Sequence, residues 1–236
     1  MAADGLGCDM DNIIVRGVDT DQSPYDSGSY ASSTTYVTGG AVVKACESMR
    51  KRICEEAAAI MGLKSGEVDF DGETISENDN PEHSMTLSDL ITSLEAGNGR
   101  IIEVTESHTS PVSPPPFMAG AAEIEVDLET GKITPINYVA AVDCGTVINT
   151  NLARIQTEGG IVQGMGMTLY EDVQYTEAGK MKNRNFMSYK IPTRLDMGSI
   201  SVEFESSYEQ TGPYGAKSIG EIVINTPAPA LSLIHI

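Results

Sequence analysis

The ten residues Gly212-Pro-Tyr-Gly-Ala-Lys-Ser-Ile-Gly-Glu221 hold three glycines and a proline and end on a carboxylate; Ile222-Val223-Ile224 follows at once. Glycine permits positive φ and lets backbone N–H groups come close to a ligand. A carboxylate set between Ile219 and that apolar run is costly to desolvate unless it is paired or neutralised. The same desolvation raises its pKa and makes it a better general base. The stretch therefore reads as a loop that cradles a ligand and offers it one base, Glu221. A second reading stays open, in which Glu221 is a first-turn helix residue favoured by the dipole and Lys217 is its exposed neighbour.

Two further segments carry polar groups in suggestive places. The stretch from Ser23 to Gly40 is rich in small hydroxyl residues, with Ala31, Ser32, Ser33 and Thr34 at its centre, just ahead of a helix start. Such a loop suits an anion or a polyhydroxylated ligand, or is a plain surface turn. Gln156 stands near the start of a glycine-rich helical stretch, where its amide either points into a site or lies on a solvated face. The interior glycines Gly159, Gly160, Gly164 and Gly166 each cost roughly 0.5–1 kcal/mol against alanine. They call for close packing against a sheet or a ligand. Met165 and Met167 read as core.

The elements that must position these residues follow from local signals. Asn12–Arg16 reads as a short strand. A helix capped by Thr38 runs to about Gly62, with Val42, Ala45, Met49, Ile53, Ala57 and Ile60 on one face. Asp71-Gly72 is a hairpin turn between two short strands. Thr86 and Asp89 form a capping box ahead of a helix ending at Gly97. Arg100–Val104 reads as a strand. Four prolines between Ser107 and Phe117 mark an extended connector and the best boundary in the chain. Alternation from Ala122 to Val142 around Thr130-Gly131 predicts a β-hairpin, with Pro135 at an edge or bulge. A helix capped by Asn149 or Asn151 extends to Leu169. Ser199–Tyr208 is a strand with Ile200, Val202 and Phe204 inward, and it delivers the chain to the Glu221 loop. The expected fold class is α+β, with mixed or antiparallel sheets and packed helices.

Composition narrows the function. The net charge of −19 over 236 residues disfavours nucleic acid and anionic membrane as partners. Cys8, Cys46, Cys54 and Cys144 lack the spacing of a zinc or iron–sulfur site and read as reduced thiols of a cytoplasmic protein. His83, His108 and His235 have no metal-ligand spacing. No signal segment and no run of 18 apolar residues is present.

The 212–221 stretch resembles the active-site loop of the molybdenum hydroxylases, the xanthine dehydrogenase and aldehyde oxidase family, whose pattern is Gly-Pro-Phe/Tyr-Gly-Ala-Lys-x-Ile/Val-Gly-Glu. The resemblance extends over Asn225-Thr-Pro-Ala-Pro-Ala230 and the proline-rich Ser107–Phe117 segment, and is strongest from Ser107 to Ala230. It is closest to the bacterial molybdenum-binding subunits of xanthine dehydrogenase. It implies a partial molybdopterin-binding region over residues 1–110 and a C-terminal molybdopterin-binding region with the catalytic loop over 111–230. Residues 231–236 depart from the pattern and read as a non-native tail. Glu221 becomes the catalytic base, with Ala31, Ser32, Ser33, Thr34, Gln156 and Gly220 as cofactor-binding residues and no protein ligand to the metal. Two departures stand out: the family's serine–arginine variant is absent from the 31–34 segment, and Ile155-Gln156 replaces Gly-Gln.

The implied reaction is hydroxylation of a purine ring carbon with water as the oxygen source, using molybdenum–molybdopterin in its plain or dinucleotide form. Iron–sulfur and FAD groups are expected on other chains of a hetero-oligomer that takes a small heteroaromatic substrate. Related enzymes acting on aldehydes, nicotinate or carbon monoxide remain alternatives. So does a partner-docking piece that is inactive by itself.

Overall fold

The computed structural model describes residues 1–17 and 19–232. The chain divides into two compact units: Met1–Gly28 with Val37–Pro111, and Ser29–Tyr36 with the chain from Val112 onward.

In the first unit, helix α1 (Ala2–Leu6) ends at Gly7, whose φ is 77°. A short 3-10 turn (Met10–Asn12) follows. The strand expected over Asn12–Arg16 is absent, and Ile14 and Val15 are exposed. A strand needs a neighbour to take its N–H and C=O groups, and none among the described residues pairs with this segment. Helix α2 (Gly39–Met61) ends at the left-handed Gly62 and buries Cys46, Ile53, Ala57 and Ala58. Ile60, expected on that face, is exposed. Thr38 makes no side-chain cap; its hydroxyl donates to Asp26 Oδ2 at 3.3 Å instead.

Strands β1 (Val68–Phe70) and β2 (Thr74–Glu77) form the expected hairpin. Asp71 Oδ1 accepts the N–H groups of Glu73 and Thr74 at 2.9 and 2.8 Å, which shapes the turn. A third strand, β3 (Asn80–Thr86), pairs antiparallel with β2. Its Pro81, Glu82 and His83 give no apolar alternation, so local pattern did not reveal it. Helix α3 (Leu87–Asn98) starts at the Thr86–Asp89 capping box and closes at Gly99 rather than Gly97. Arg100–Val104 adopts no strand. Arg50 ties this unit together: its guanidinium donates to the carbonyls of Leu6 (2.9 Å) and Phe70, and it lies 5.5 Å from the centre of the Phe70 ring. The core around them holds Ile53, Ala57, Phe70, Ile75 and Leu90.

In the second unit, β4 (Phe117–Val126) and β5 (Ile133–Asp143) pair antiparallel from Phe117↔Asp143 to Val126↔Ile133. The register shifts between Glu123↔Asn137 and Ile124↔Pro135. That bulge admits a proline, which has no N–H for the ladder. Helix α4 (Thr150–Leu169) is capped by Asn149 Oδ1, which accepts the Leu152 N–H at 3.0 Å. Strand β6 (Ser199–Phe204) then pairs parallel to β5, so β5 is the central strand of a mixed sheet. Tyr138, Ala140 and Val142 of β5 meet Ile161 and Met165 of α4 in the core, joined by Leu231.

Two short helices follow, α5 (Ile222–Asn225) and α6 (Pro227–Ser232). Three of the four α4 glycines are explained by close approach. A Cβ on Gly160 would lie 2.2 Å from Val223, one on Gly164 2.6 Å from the Ile224 carbonyl oxygen, and one on Gly166 2.4 Å from Glu171. Gly159 faces open space. Met165 is core as expected, whereas Met167 is exposed. Within the segment read as a tail, Leu231 belongs to α6 and is buried. Residues 233–236 lie outside the described residues.

Candidate functional site

The carboxylate-bearing loop is seated on the end of β5 by backbone pairing. Gly215 accepts through its carbonyl from the Thr146 N–H (2.8 Å) and the Glu209 N–H (3.0 Å), and the Lys217 N–H donates to the Cys144 carbonyl at 2.7 Å. Two glycines are fixed by space and conformation. A Cβ on Gly212 would lie 1.9 Å from the Ala216 carbonyl oxygen, and Gly215, at φ 83°, packs on the Tyr208 ring. Tyr214 between them is also left-handed, at φ 53°.

Lys217 is not an exposed neighbour. It is buried, at 9% exposure, and its Nζ donates to Asp143 Oδ2 at 2.6 Å. The other Asp143 oxygen accepts from the Ser207 hydroxyl and from the Gly145 N–H. The Phe117 ring, on the residue paired opposite Asp143, lies 5.2 Å from the ammonium. Burial alone would raise the Asp143 carboxyl; the donors from Lys217, Ser207 and Gly145 outweigh it and hold it below the ordinary carboxylate value.

The hydroxyl-rich segment meets this loop within the same unit. Tyr36 is buried, and its hydroxyl donates to Thr211 Oγ1 at 2.7 Å. Ala31 and Ser32 both have left-handed backbones, at φ 48° and 56°. Non-glycine residues rarely adopt this region, and they persist there only when their surroundings hold them. The Ser33 N–H and Oγ both donate to the Tyr30 carbonyl, at 3.1 and 2.7 Å, and the Ser29 and Thr34 hydroxyls bond each other. A Cβ on Gly220 would come within 2.8 Å of Ser32 Oγ. The fold thus brings Ser32 and Gly220 into contact, immediately beside Glu221.

Glu221 itself is exposed, at the N-cap position of α5, while Ile219 and Ile222 on either side pack on the core. The enclosure expected from its apolar neighbours is not found: those neighbours turn inward and the carboxylate turns out. Gln156 is exposed on α4, one turn ahead of the Gly160–Val223 contact. Ala31 and Thr34 are exposed; Ser32, Ser33 and Gly220 are partly buried. Asp143, Ser207, Tyr36 and Thr211 escaped the sequence reading. The only local hint was Asp143, a charge ending an otherwise apolar alternation. Chemically, the arrangement offers an accessible carboxylate next to a concentration of hydroxyl and main-chain donors. Among the described residues, no three His, Cys, Asp or Glu side chains group to hold a metal ion, and no helix is long and apolar enough to cross a membrane.

Comparison with known proteins gives a consistent picture. A model of the molybdopterin cofactor-binding domain family matches residues 1–198. The probable hypoxanthine oxidase XdhD of Escherichia coli is 32% identical over 98% of this chain. The carbon monoxide dehydrogenase large chain of Afipia carboxidovorans is 26% identical over 92% of it. The chain spans only 24% and 27% of the length of these two relatives. Among solved structures, quinoline 2-oxidoreductase from Pseudomonas putida superposes with a TM-score of 0.80 at 26% identity, covering 98% of this chain and 30% of that one.

Proposed function

We propose that this chain, which belongs to the molybdopterin cofactor-binding domain family of the molybdenum hydroxylases, contributes the general base, Glu221, to hydroxylation of an electron-poor ring carbon with water as the oxygen source. The observation that carries the reading is the contact of Ser32 with Gly220 beside Glu221. It joins the hydroxyl-rich segment to the carboxylate loop at one place.

The residues present suit a polar, anionic pterin group. In a chain of net charge −19, the segment from Ser29 to Tyr36 holds no acidic residue, and the missing side chain of Gly220 lets Ser32 sit directly against the Glu221 loop. Ala31, Ser32, Ser33 and Thr34 would hold the group through main-chain and hydroxyl donors, Gly220 through its main chain and Gln156 through its amide. When bound, the molybdenum–pterin group supplies Lewis acidity toward water and the electron-accepting centre. Glu221 is exposed and free of any apolar cover, so it is available to take a proton from the attacking oxygen. Seating of the loop on β5 fixes where that carboxylate stands.

Purine is the favoured substrate class, supported by the likeness to a probable hypoxanthine oxidase. The likeness to quinoline 2-oxidoreductase and to a carbon monoxide dehydrogenase keeps other substrates of the same chemistry as the second reading. Electrons would leave through iron–sulfur and FAD groups on partner chains of a cytoplasmic hetero-oligomer. The test is Glu221→Gln in the complete subunit carrying its cofactor. General-base help is worth 10²–10⁴-fold, so turnover per molybdenum falls at least ~100-fold while molybdenum content stays near the parent's. Turnover within a few-fold of the parent removes Glu221 from the base role.

A further inference from the structure

The Glu221 loop carries a cation that the proposed chemistry does not use. Lys217 is nearly excluded from solvent, sits four residues before Glu221, and spends its ammonium on Asp143 at the C-terminal end of β5. Taking such a charge out of water is costly, and the cost is met only where geometry and further hydrogen bonds are good. Here they are. Asp143 is held by three donors, one from each of three places: Lys217 in the loop, Ser207 just beyond β6 and the Gly145 backbone after β5. The Phe117 ring lies against the ammonium, adding cation–π attraction and thinning the water around the pair. Backbone bonds from Lys217 to Cys144 and from Thr146 to Gly215 flank the ion pair. The loop is therefore pinned at Lys217 by both main chain and side chain, and Ser218, Ile219 and Gly220 span the short distance from that pin to the carboxylate.

We propose that Asp143 and Lys217 are positioning residues for Glu221: their ion pair, set against Phe117 and braced by Ser207, fixes how the 212–221 loop seats on the end of β5 and so where the carboxylate stands. The proposal rests on the reading of Glu221 as the base for its catalytic consequence, but its structural content stands alone. An anchor that is merely stabilising would alter the melting temperature without loosening the segment beyond it. An anchor that positions loosens that segment selectively.

Two measurements separate this proposal from the functional reading. In the 236-residue chain, hydrogen exchange is followed at the amides of Thr146, Lys217 and Ile224, which donate to the carbonyls of Gly215, Cys144 and Glu221, in the parent and in Asp143→Asn, Lys217→Met and Lys217→Arg. Exchange at these amides should rise at least ~10-fold in Asp143→Asn and Lys217→Met, with Lys217→Arg close to the parent and the β4–β5 amides unchanged in all three. Asp143→Asn is nearly isosteric and keeps the test alive if Lys217→Met does not fold. Unaltered exchange at Thr146, Lys217 and Ile224 in the folded variants overturns the proposal, whatever Glu221 does.

In the complete subunit with its cofactor, a displaced base of this kind costs on the order of 10²-fold. Lys217→Met should then lower kcat by ~10–100-fold with little change in KM, and Lys217→Arg should recover most of it. In the Glu221→Gln background the same substitution should lower kcat no further, because the effect passes through that carboxylate. A full additional loss in that background shows that the pair acts elsewhere and also overturns the proposal.

Discussion

Ser32 Oγ lies 2.8 Å from the point a Cβ on Gly220 would occupy, and Ser32 Cβ lies 3.2 Å from it. This contact closes the hydroxyl-rich segment onto the carboxylate loop, and it leaves no room for even a methyl group. Gly220→Ala should push the two segments apart. In the complete subunit, molybdenum retention is expected to fall several-fold. Adding Ser32→Gly, which removes the blocking side chain and also suits the left-handed backbone there, should restore it. Metal analysis of the two variants side by side checks this: no loss in Gly220→Ala would place the contact away from the cofactor, and equal loss in both would show that the new methyl does not act through Ser32.

Acid should act on the Asp143 pair in a defined direction. Burial pushes its folded-state carboxyl up, but the donors from Lys217, Ser207 and Gly145 outweigh that effect and hold it below the ordinary value. A depressed carboxyl contributes stability above its unfolded pKa of about 3.9 and loses it as pH falls through the folded value. Asp143→Asn should therefore melt below the parent at neutral pH, and the gap should close as the pH drops beneath about 4. Calorimetry across that range settles it: a gap that stays constant would mean that the carboxylate charge contributes nothing.

The glycines of α4 should part company. Gly159 faces open space, whereas a Cβ on Gly160 would lie 2.2 Å from Val223. Gly159→Ala should raise stability by roughly 0.5–1 kcal/mol through helix propensity. Gly160→Ala should lower it by about 1–3 kcal/mol, the usual range for overpacking. Urea denaturation distinguishes the two signs directly.

Leu231 should matter to the second unit. It is only 1% exposed and packs with Tyr138 and Met165 in the core. Leu231→Ala is expected to cost about 2–5 kcal/mol. A change below about half a kcal/mol in chemical denaturation, the range of an ordinary surface substitution, would show that α6 is not part of the cooperative unit.

A Tyr138→Phe and Gly120→Ala cycle probes the sheet interior. Tyr138 is fully buried and donates to Thr226 Oγ1 at 3.1 Å. A Cβ on Gly120 would fall 2.0 Å from that hydroxyl. Tyr138→Phe alone should cost roughly 1 kcal/mol for the lost hydrogen bond. Gly120→Ala should cost clearly less when combined with Tyr138→Phe than in the parent, giving a measurable coupling by double-mutant analysis; strict additivity would rule the contact out.

What the sequence determined by itself is the set of elements whose signals are local. The α2 stop at Gly62, the Asp71-Gly72 hairpin, the Thr86–Asp89 capping box, the Asn149 cap of α4 and the alternating hairpin with its bulge at Pro135 each depend on neighbours a few residues away. The stretch from Gly212 to Glu221 stands out as a candidate for the same reason, since its glycines and carboxylate lie together in ten residues. Tertiary structure decided everything that needs a distant partner. Asn12–Arg16 and Arg100–Val104 have strand-like composition but acquire no paired strand, and β3 forms without such composition because β2 offers it a ladder. Lys217 carries no mark of burial in sequence; Asp143, 74 residues away, makes it possible. The outward turn of Glu221 follows from Ile219 and Ile222 filling the core on either side of it. The meeting of Ser32 with Gly220 arises only when Tyr36 and Thr211 bring their segments together. Hydrophobic alternation and capping are short-range, whereas desolvation of a charge and steric closeness are properties of the packed chain.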